Sequence, residues 1–258
     1  MSFIDIHSHY AWAIDDGMPS LEDAKQALQA AKKQNVEKIV ATPHITPGTT
    51  TAKEFTAIKN RIKDLQLLAQ DYGIEVYPGC EIMINTDYLS IFDNEQYLTI
   101  NHSNYLLVEF NVTQKLPEDF EERLYELSLH HQLIIAHVER YFHHDLDLDI
   151  IQNWIDQGYI LQINSSSLLG VHGSTIEDNA YQLLEQGYVS LIANDVHRCS
   201  GKRGPQLLET YEMLTKKYQS DEIKQLMYDN PLKVIQNQTV YPAKLKKRSK
   251  LSWLKRRR

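Results

Sequence analysis

Two histidines one residue apart, His7 and His9, stand at the end of the apolar run that opens the chain. On an extended strand, residues i and i+2 share a face, so this spacing aims two imidazoles at one point. Imidazole is the commonest protein metal ligand, and such a pair forms a pincer. By itself the pair is also what two chance surface histidines would give. The same arrangement recurs, however: short apolar runs end at His44, Glu81, Glu109, His137, Asn164, and Asp195 with His197. Five of the eleven histidines and three acids thus gather at one kind of position. An imidazole–carboxylate shell of this kind suits first-row divalent metals, and its carboxylates can bridge two ions. The remaining histidines (His102, His130, His131, His143, His144 and His172) fall in predicted helices or loops and read as surface residues.

Strands that end at one edge must be parallel, and the pattern supplies the helices between them. Ser20 with Asp23 forms a capping box, and Leu21, Ala24, Leu28 and Ala31 follow at helical spacing, predicting a helix to about Gln34. A second helix is predicted from Ala52 to Tyr72, stopped by Gly73. Others are predicted over 118–131, 148–156, 176–185, 205–218 and 221–228. The strands are predicted at Ile4 onward, 38–42, 75–77, 105–108, 133–136, 159–163 and 189–193. Alternating strands and helices with polar strand ends predict an α/β protein: a distorted seven-stranded (β/α)7 TIM-like barrel with its site at the C-terminal mouth. An open doubly wound sheet is the rival, weakened because no Gly-rich phosphate loop follows the first strand.

The chain has 258 residues, 42% hydrophobic and 24% charged, and no run of 18 apolar residues. Met-Ser-Phe-Ile-Asp lacks the features of a signal peptide. Two cysteines, Cys80 and Cys199, give neither a zinc-finger spacing nor a disulfide framework, so a cytoplasmic protein is expected. Charge is unevenly placed. Nine of the basic residues lie in 244–258, leaving 18 basic against 34 acidic, so the body carries −16. No nucleic-acid partner is expected for a body so acidic. The expected organisation is one domain over residues 1–240 followed by a basic tail, 241–258. The tail interleaves Leu and Trp253 with its charges and reads either as a solvated terminus or as a contact with an anionic membrane surface.

His7-Ser8-His9, Asp15-Asp16-Gly17, Thr42-Pro43-His44, Glu81 after Gly79-Cys80, His137-Val138-Glu139-Arg140-Tyr141 and Asn194-Asp195-Val196-His197 follow one another from Ile4 to Pro231. As a set they resemble the polymerase-and-histidinol-phosphatase (PHP) family. The closer likeness is to its manganese-dependent protein tyrosine phosphatases of capsule and exopolysaccharide operons in Gram-positive bacteria. The resemblance implies a phosphatase with three divalent metal ions, manganese first, iron or zinc next. It implies that His7, His9, Glu81 and Asp195 hold one ion. Glu81 would bridge to a second with Glu109 and His137, and Asp16, His44 and His197 would hold the third. Either Asp15 or Asp16 could turn inward. Arg140 carries over as a phosphate-binding arginine, and Arg203 as a second, with Arg198 and Lys202 as alternatives in its loop. The implied partner is a tyrosine-phosphorylated bacterial tyrosine kinase with a Tyr-rich tail, met in the cytoplasm at the inner membrane face.

That chemistry is consistent with the residues. Metal activation of water and arginine forks on phosphate suit phosphoryl transfer, and a tyrosinate with a parent pKa of about 10 leaves with little acid assistance. A cysteine phosphatase would need Arg six places after Cys, where this chain has Thr86 and Pro205. A small-molecule phosphatase, such as one for histidinol phosphate, is the alternative enzyme. A non-catalytic kinase-binding protein is the third reading, and it gives no reason to keep nine convergent ligands.

Overall fold

The computed structural model describes residues 1–247. Nine parallel strand segments are found among them: β1 (Phe3–Asp5), β2 (Val36–Ala41), β3 (His44–Ile45), β4 (Glu75–Pro78), β5 (Glu81–Met83), β6 (Tyr105–Glu109), β7 (Gln132–Ile135), β8 (Ile160–Asn164) and β9 (Val189–Ala193). They pair in the orders β1-β2-β4 and β3-β5-β6-β7-β8-β9. A parallel bridge between Ser8 and Val196 joins the two ends, with Asp195 N donating to His7 O and His9 N to Val196 O, both at 2.9 Å. The result is a distorted seven-stave barrel in which β2 continues into β3 and β4 into β5. The expected TIM-like fold is therefore present.

The two broken staves have local causes. Pro43 carries no N–H for the ladder, and its carbonyl instead accepts from Glu81 N at 3.1 Å. Gly79 sits where a Cβ would meet Val40 Cγ1 at 2.9 Å, so only glycine lets the staves touch. The predicted strands 38–42 and 75–77 stop at these breaks; the short segments His44–Ile45 and Glu81–Met83 beyond them are too brief to carry an alternation of their own.

Strand alternation then sorts side chains into two clusters. Ile4, Val40, Leu107, Ile134, Leu191 and Ala193 join one, inside the barrel; Ile39, Leu106, Val108, Leu133, Ile135 and Ile192 join the other, beneath the helices. Glu109 follows Tyr105 and Leu107 on their face of β6, which points it into the barrel mouth.

Helices cover the outside. Leu21–Lys33 is capped by Ser20, whose side chain accepts from Asp23 N, and buries Ala24, Ala27, Leu28 and Ala31. Ala52–Gln70 begins with a full capping box between Thr51 and Glu54 and buries Phe55, Ile58, Ile62, Leu65 and Ala69. Phe120–Ser128, Leu148–Asp156, Ser174–Gln186 and Leu207–Lys217 fall within two or three residues of expectation. The segment predicted to stop at 228 does not stop. Ser220–Lys224 passes through a π turn, Gln225–Asp229, into Asn230–Ile235, with Pro231 directly after the π turn, where the wider winding accommodates its ring. Val234, Ile235 and Val240 belong to the interior cluster. No helix among the described residues is long and apolar enough to cross a membrane.

Beyond 240 the chain keeps contact with the body. Ala243 N donates to Val189 O at 3.0 Å, Gln219 N to Lys246 O at 2.9 Å, and Tyr218 bridges Lys247. The rest of the expected membrane-contacting tail, 248–258, lies outside the described residues.

Candidate metal centre

The strand segments and the loop after β1 deliver nine side chains to the barrel mouth. β1 ends at Asp5, so His7 and His9 lie beyond it, yet their Nε2 atoms still approach to 3.4 Å. His44 opens β3 and Glu81 opens β5, and the two are register partners. His137 and Asp195 stand two residues past β7 and β9, each in the left-handed region, at φ 33° and 57°. Non-glycine residues hold that conformation at a cost of about 1–3 kcal/mol, and it is the kind of backbone outlier that gathers at working sites.

Glu81 is the hub. Its Oε2 lies 3.0 Å from His7 Nε2, 3.2 Å from His9 Nε2 and 3.2 Å from His44 Nδ1, and its Oε1 lies 3.0 Å from His137 Nε2. Glu109 reaches His44 at 2.9 Å and His137 at 3.5 Å. Asp195 Oδ1 is 3.6, 3.5 and 3.2 Å from His7, His9 and His197. Asp16 Oδ1 is 3.3 Å from His44 and 3.1 Å from His197. The donor atoms form four overlapping groups, each within 4.8 Å: His9, Asp16, His44, His197; His7, His9, Asp195; His7, Glu81, His137; and His44, Glu81, Glu109. All nine ligands expected from the sequence are thus brought together, with His7, His9, His44 and Glu81 shared between groups.

Asp15 and Asp16 separate cleanly. Asp15 Oδ2 meets His9 Nδ1 at 2.8 Å and accepts from His44 N, while its Oδ1 accepts from Gly17 N at 2.9 Å. Only Asp16 reaches into the cluster. A Cβ on Gly17 would sit 2.4 Å from His9 O, so the glycine lets the aspartate loop lie against His9. Gln162, inward on β8, was missed from sequence. Its Oε1 lies 3.0 Å from His7 Nδ1 and accepts from His137 N, and its Nε2 donates to Asn164 Oδ1. Asn164 Nδ2 donates to Asp195 Oδ2 at 3.0 Å. Such partners fix the ring orientation and tautomer of a ligating histidine. The signal was present: Gln162 stands two residues before Asn164, on the same face of a strand otherwise apolar.

The electrostatics fit a cation. Burial works against charge on His7, but Glu81 and Asp195 outweigh it and raise its pKa to about 9. His197 is raised to about 9 against burial by Asp16 and Asp195. Burial likewise opposes charge on Asp195 and Glu81, yet facing histidines hold both well below the carboxylate range. Glu81 Oε2 and Glu109 Oε1 are buried and make no well-directed hydrogen bond, although imidazole nitrogens surround them. Buried lone pairs that converge on a common space are what divalent ions fill, displacing the protons that the facing histidines carry in their absence.

Arg140 Nη1 lies 3.3 Å from Asp195 Oδ2 with 22% of its side chain exposed, so its fork reaches the mouth. Arg203 Nη1 lies 3.6 Å from Asp16 Oδ2. Arg198 is instead occupied with the carbonyls of Asp16, Gly17 and His197, and Lys202 is exposed.

Two histidines read as surface residues are not. His131 is half-buried, its Nε2 3.1 Å from Tyr97 Oη. His172 is half-buried and shares a 3.0 Å hydrogen bond with Ser166 Oγ; burial, then the nearby Arg140, pushes its pKa down to about 4. Both are covered by long-range packing, which local polarity does not report. His102, His130, His143 and His144 are exposed.

A closed parallel α/β barrel with imidazoles and carboxylates converging at its C-terminal mouth is a TIM-like barrel whose mouth could hold metal ions. Within that class, the chain belongs to the family of capsular polysaccharide synthesis, CpsB/CapC, which matches residues 3–236. It is 30% identical over 244 residues to the tyrosine-protein phosphatase CpsB of Streptococcus pneumoniae, covering 92% of this chain and 100% of that protein. It is 30% identical over 253 residues to the tyrosine-protein phosphatase YwqE of Bacillus subtilis (strain 168), covering 96% and 98%. The crystal structures of YwqE and CpsB, described as unique metal-dependent tyrosine phosphatases, match with a TM-score of 0.82 at 27% identity, covering 96% of this chain and 100% of that one.

Proposed function

We propose that this chain is a metal-dependent protein tyrosine phosphatase of capsule synthesis. The observation that carries the reading is Glu81: a fully buried carboxylate with one oxygen free of directed hydrogen bonds and three imidazole nitrogens within 3.2 Å of it. Its relatives' names supply the substrate class.

The nine ligands are His7, His9, Asp16, His44, Glu81, Glu109, His137, Asp195 and His197, and we assign them to three divalent ions, manganese first. When bound, such ions supply Lewis-acid neutralisation and activate water for attack on phosphorus. The protein's own groups do the rest. Arg140 presents a planar fork to the equatorial phosphoryl oxygens, and Arg203 adds a second charge from the Asp16 side. Asp195 holds Arg140 in reach, and Asn164 holds Asp195. Asp15 and Gln162 fix the tautomers of His9 and His7. The substrate is a phosphorylated tyrosine kinase, and the basic tail sets the enzyme near the anionic inner membrane surface where that kinase works.

Phosphotyrosine peptides, phosphoserine peptides and histidinol phosphate, assayed with and without chelator, test this reading. Turnover should favour phosphotyrosine, vanish with chelator and return with Mn. Preference for histidinol phosphate would make the protein a small-molecule phosphatase, and full activity in a metal-free preparation would remove the metal centre.

A further inference from the structure

A groove of about 420 Å³ leads away from the ligand cluster. One end opens on Asp16, His44 and Glu109. Its apolar floor comes from three separate elements: Ile14 from the loop before the paired aspartates, Met83 from the end of β5, and Ile58 from the helix Ala52–Gln70. Thr49 and Glu54 stand on the rim, with Glu54 held by the N-terminal cap of that helix.

We propose that this groove is the leaving-group subsite, holding the aromatic ring of a phosphorylated tyrosine against Ile14, Ile58 and Met83. The inference rests on the phosphatase reading and adds the part of the substrate beyond phosphorus. A phosphoester bound at the ligand cluster must send its leaving group out of the mouth, and the groove is continuous with the cluster on the Asp16–Glu109 side. Its volume lies within the range of small-ligand pockets, and exceeds what one ring fills, leaving room for an adjoining residue. Its apolar floor rewards a flat ring far more than the short alkyl stem of a phosphorylated serine. Beyond the ligands Asp16, His44 and Glu109, charge on the wall is one-sided: Asp15 and the rim residue Glu54 line it, with no Lys or Arg in the lining. The adjoining substrate residue is therefore neutral or basic, since an acid there meets like charge.

Competitive inhibition by phenylphosphonate and by inorganic phosphate, measured on the Mn-loaded full chain, reads the ring separately from the phosphoryl group. The wild type should favour phenylphosphonate. In Thr49→Trp, which fills the groove from an exposed position, and in Met83→Ala, which removes floor, that preference should shrink at least about tenfold. An unchanged preference, or an equal weakening of both inhibitors, overturns the subsite. A phosphotyrosine peptide flanked by lysine should be used better than one flanked by glutamate, and the gap should narrow in Glu54→Gln, which keeps the helix cap. Equal use of both peptides overturns the acidic rim. If the wild type turns over phosphotyrosine while these variants change nothing, the phosphatase reading survives and only the subsite falls. Absence of phosphotyrosine turnover with Mn bound defeats both.

Discussion

His9 Nδ1 lies 2.8 Å from Asp15 Oδ2, on the ring edge opposite the Nε2 that stands 3.2 Å from Glu81. The imidazole is thereby clamped with one nitrogen committed to a carboxylate and the other turned into the cluster. Two adjacent aspartates are placed differently for this reason: Asp15 orients His9, and Asp16, 58% exposed, faces His44 and His197.

Asp15→Asn and Asp16→Asn should accordingly fail in different ways. Asp15→Asn keeps the metal stoichiometry but weakens affinity by about 10–100-fold, the usual cost of losing the carboxylate behind a ligating histidine. Asp16→Asn loses an ion from the His44–His197 side. Calorimetric titration with Mn beside elemental analysis distinguishes the two patterns; the reverse assignment would show stoichiometry lost in Asp15→Asn instead.

Much of this site was legible because strand alternation is a strong local signal. Glu109 stands at the end of the predicted 105–108 strand, and the helix cap at Ser20 lies in plain view. What was not legible depends on partners far along the chain. Gln162 matters through His7, 155 residues away, and the alternation that turns it inward with Asn164 does not name that partner. His172 is covered only because the turn after Ser165–Leu168 folds back on Ser166. The choice between Asp15 and Asp16 needed the close approach of Gly17 to His9 O, a backbone contact without a sequence signature beyond the glycine itself.

Arg140→Lys tests whether the fork, and not merely the charge, is used. A lysine keeps the attraction to Asp195 but offers a point charge where arginine offers two parallel donors. Loss of kcat/KM for a phosphotyrosine peptide should be at least about tenfold, roughly 1.4 kcal/mol of transition-state stabilisation, with the melting temperature unchanged. Wild-type kinetics in this variant would return Arg140 to a structural ion pair.

His172 makes a pH prediction. Its folded pKa of about 4 lies below the 6.5 of the free side chain, with burial and then Arg140 as the causes. Between those values the unfolded chain binds the proton and the folded one does not, so stability rises with pH across that window. The contribution is complete above pH 6.5 and is lost as pH falls through 4. Chemical denaturation of wild type and His172→Gln at several pH values between 4 and 7 isolates the effect. The wild type should lose more stability than the variant on acidification; parallel curves would mean that His172 titrates alike in both states.

The tail offers a prediction in which the cut site matters. Lys246 O accepts from Gln219 N, Lys246 pairs with Glu222 at 3.3 Å, and Leu245 packs at the edge of the core. The lysine end of the ion pair is exposed and the pair adds little, but the backbone bond and the leucine together are worth about 2 kcal/mol. Truncation after Ala243 should therefore lower the stability of the body, whereas truncation after Lys247 should leave it alone. The second cut still removes six basic residues and Trp253. Each basic residue near an anionic leaflet contributes about 1 kcal/mol, screened by salt, so this shorter chain should lose binding to phosphatidylserine vesicles, most clearly at low ionic strength. Turnover of a dissolved phosphotyrosine peptide should not change. Equal cosedimentation of the full and shortened chains with such vesicles would leave the tail no part in membrane placement. A gel shift of nucleic acid by the full chain alone would assign it a different partner.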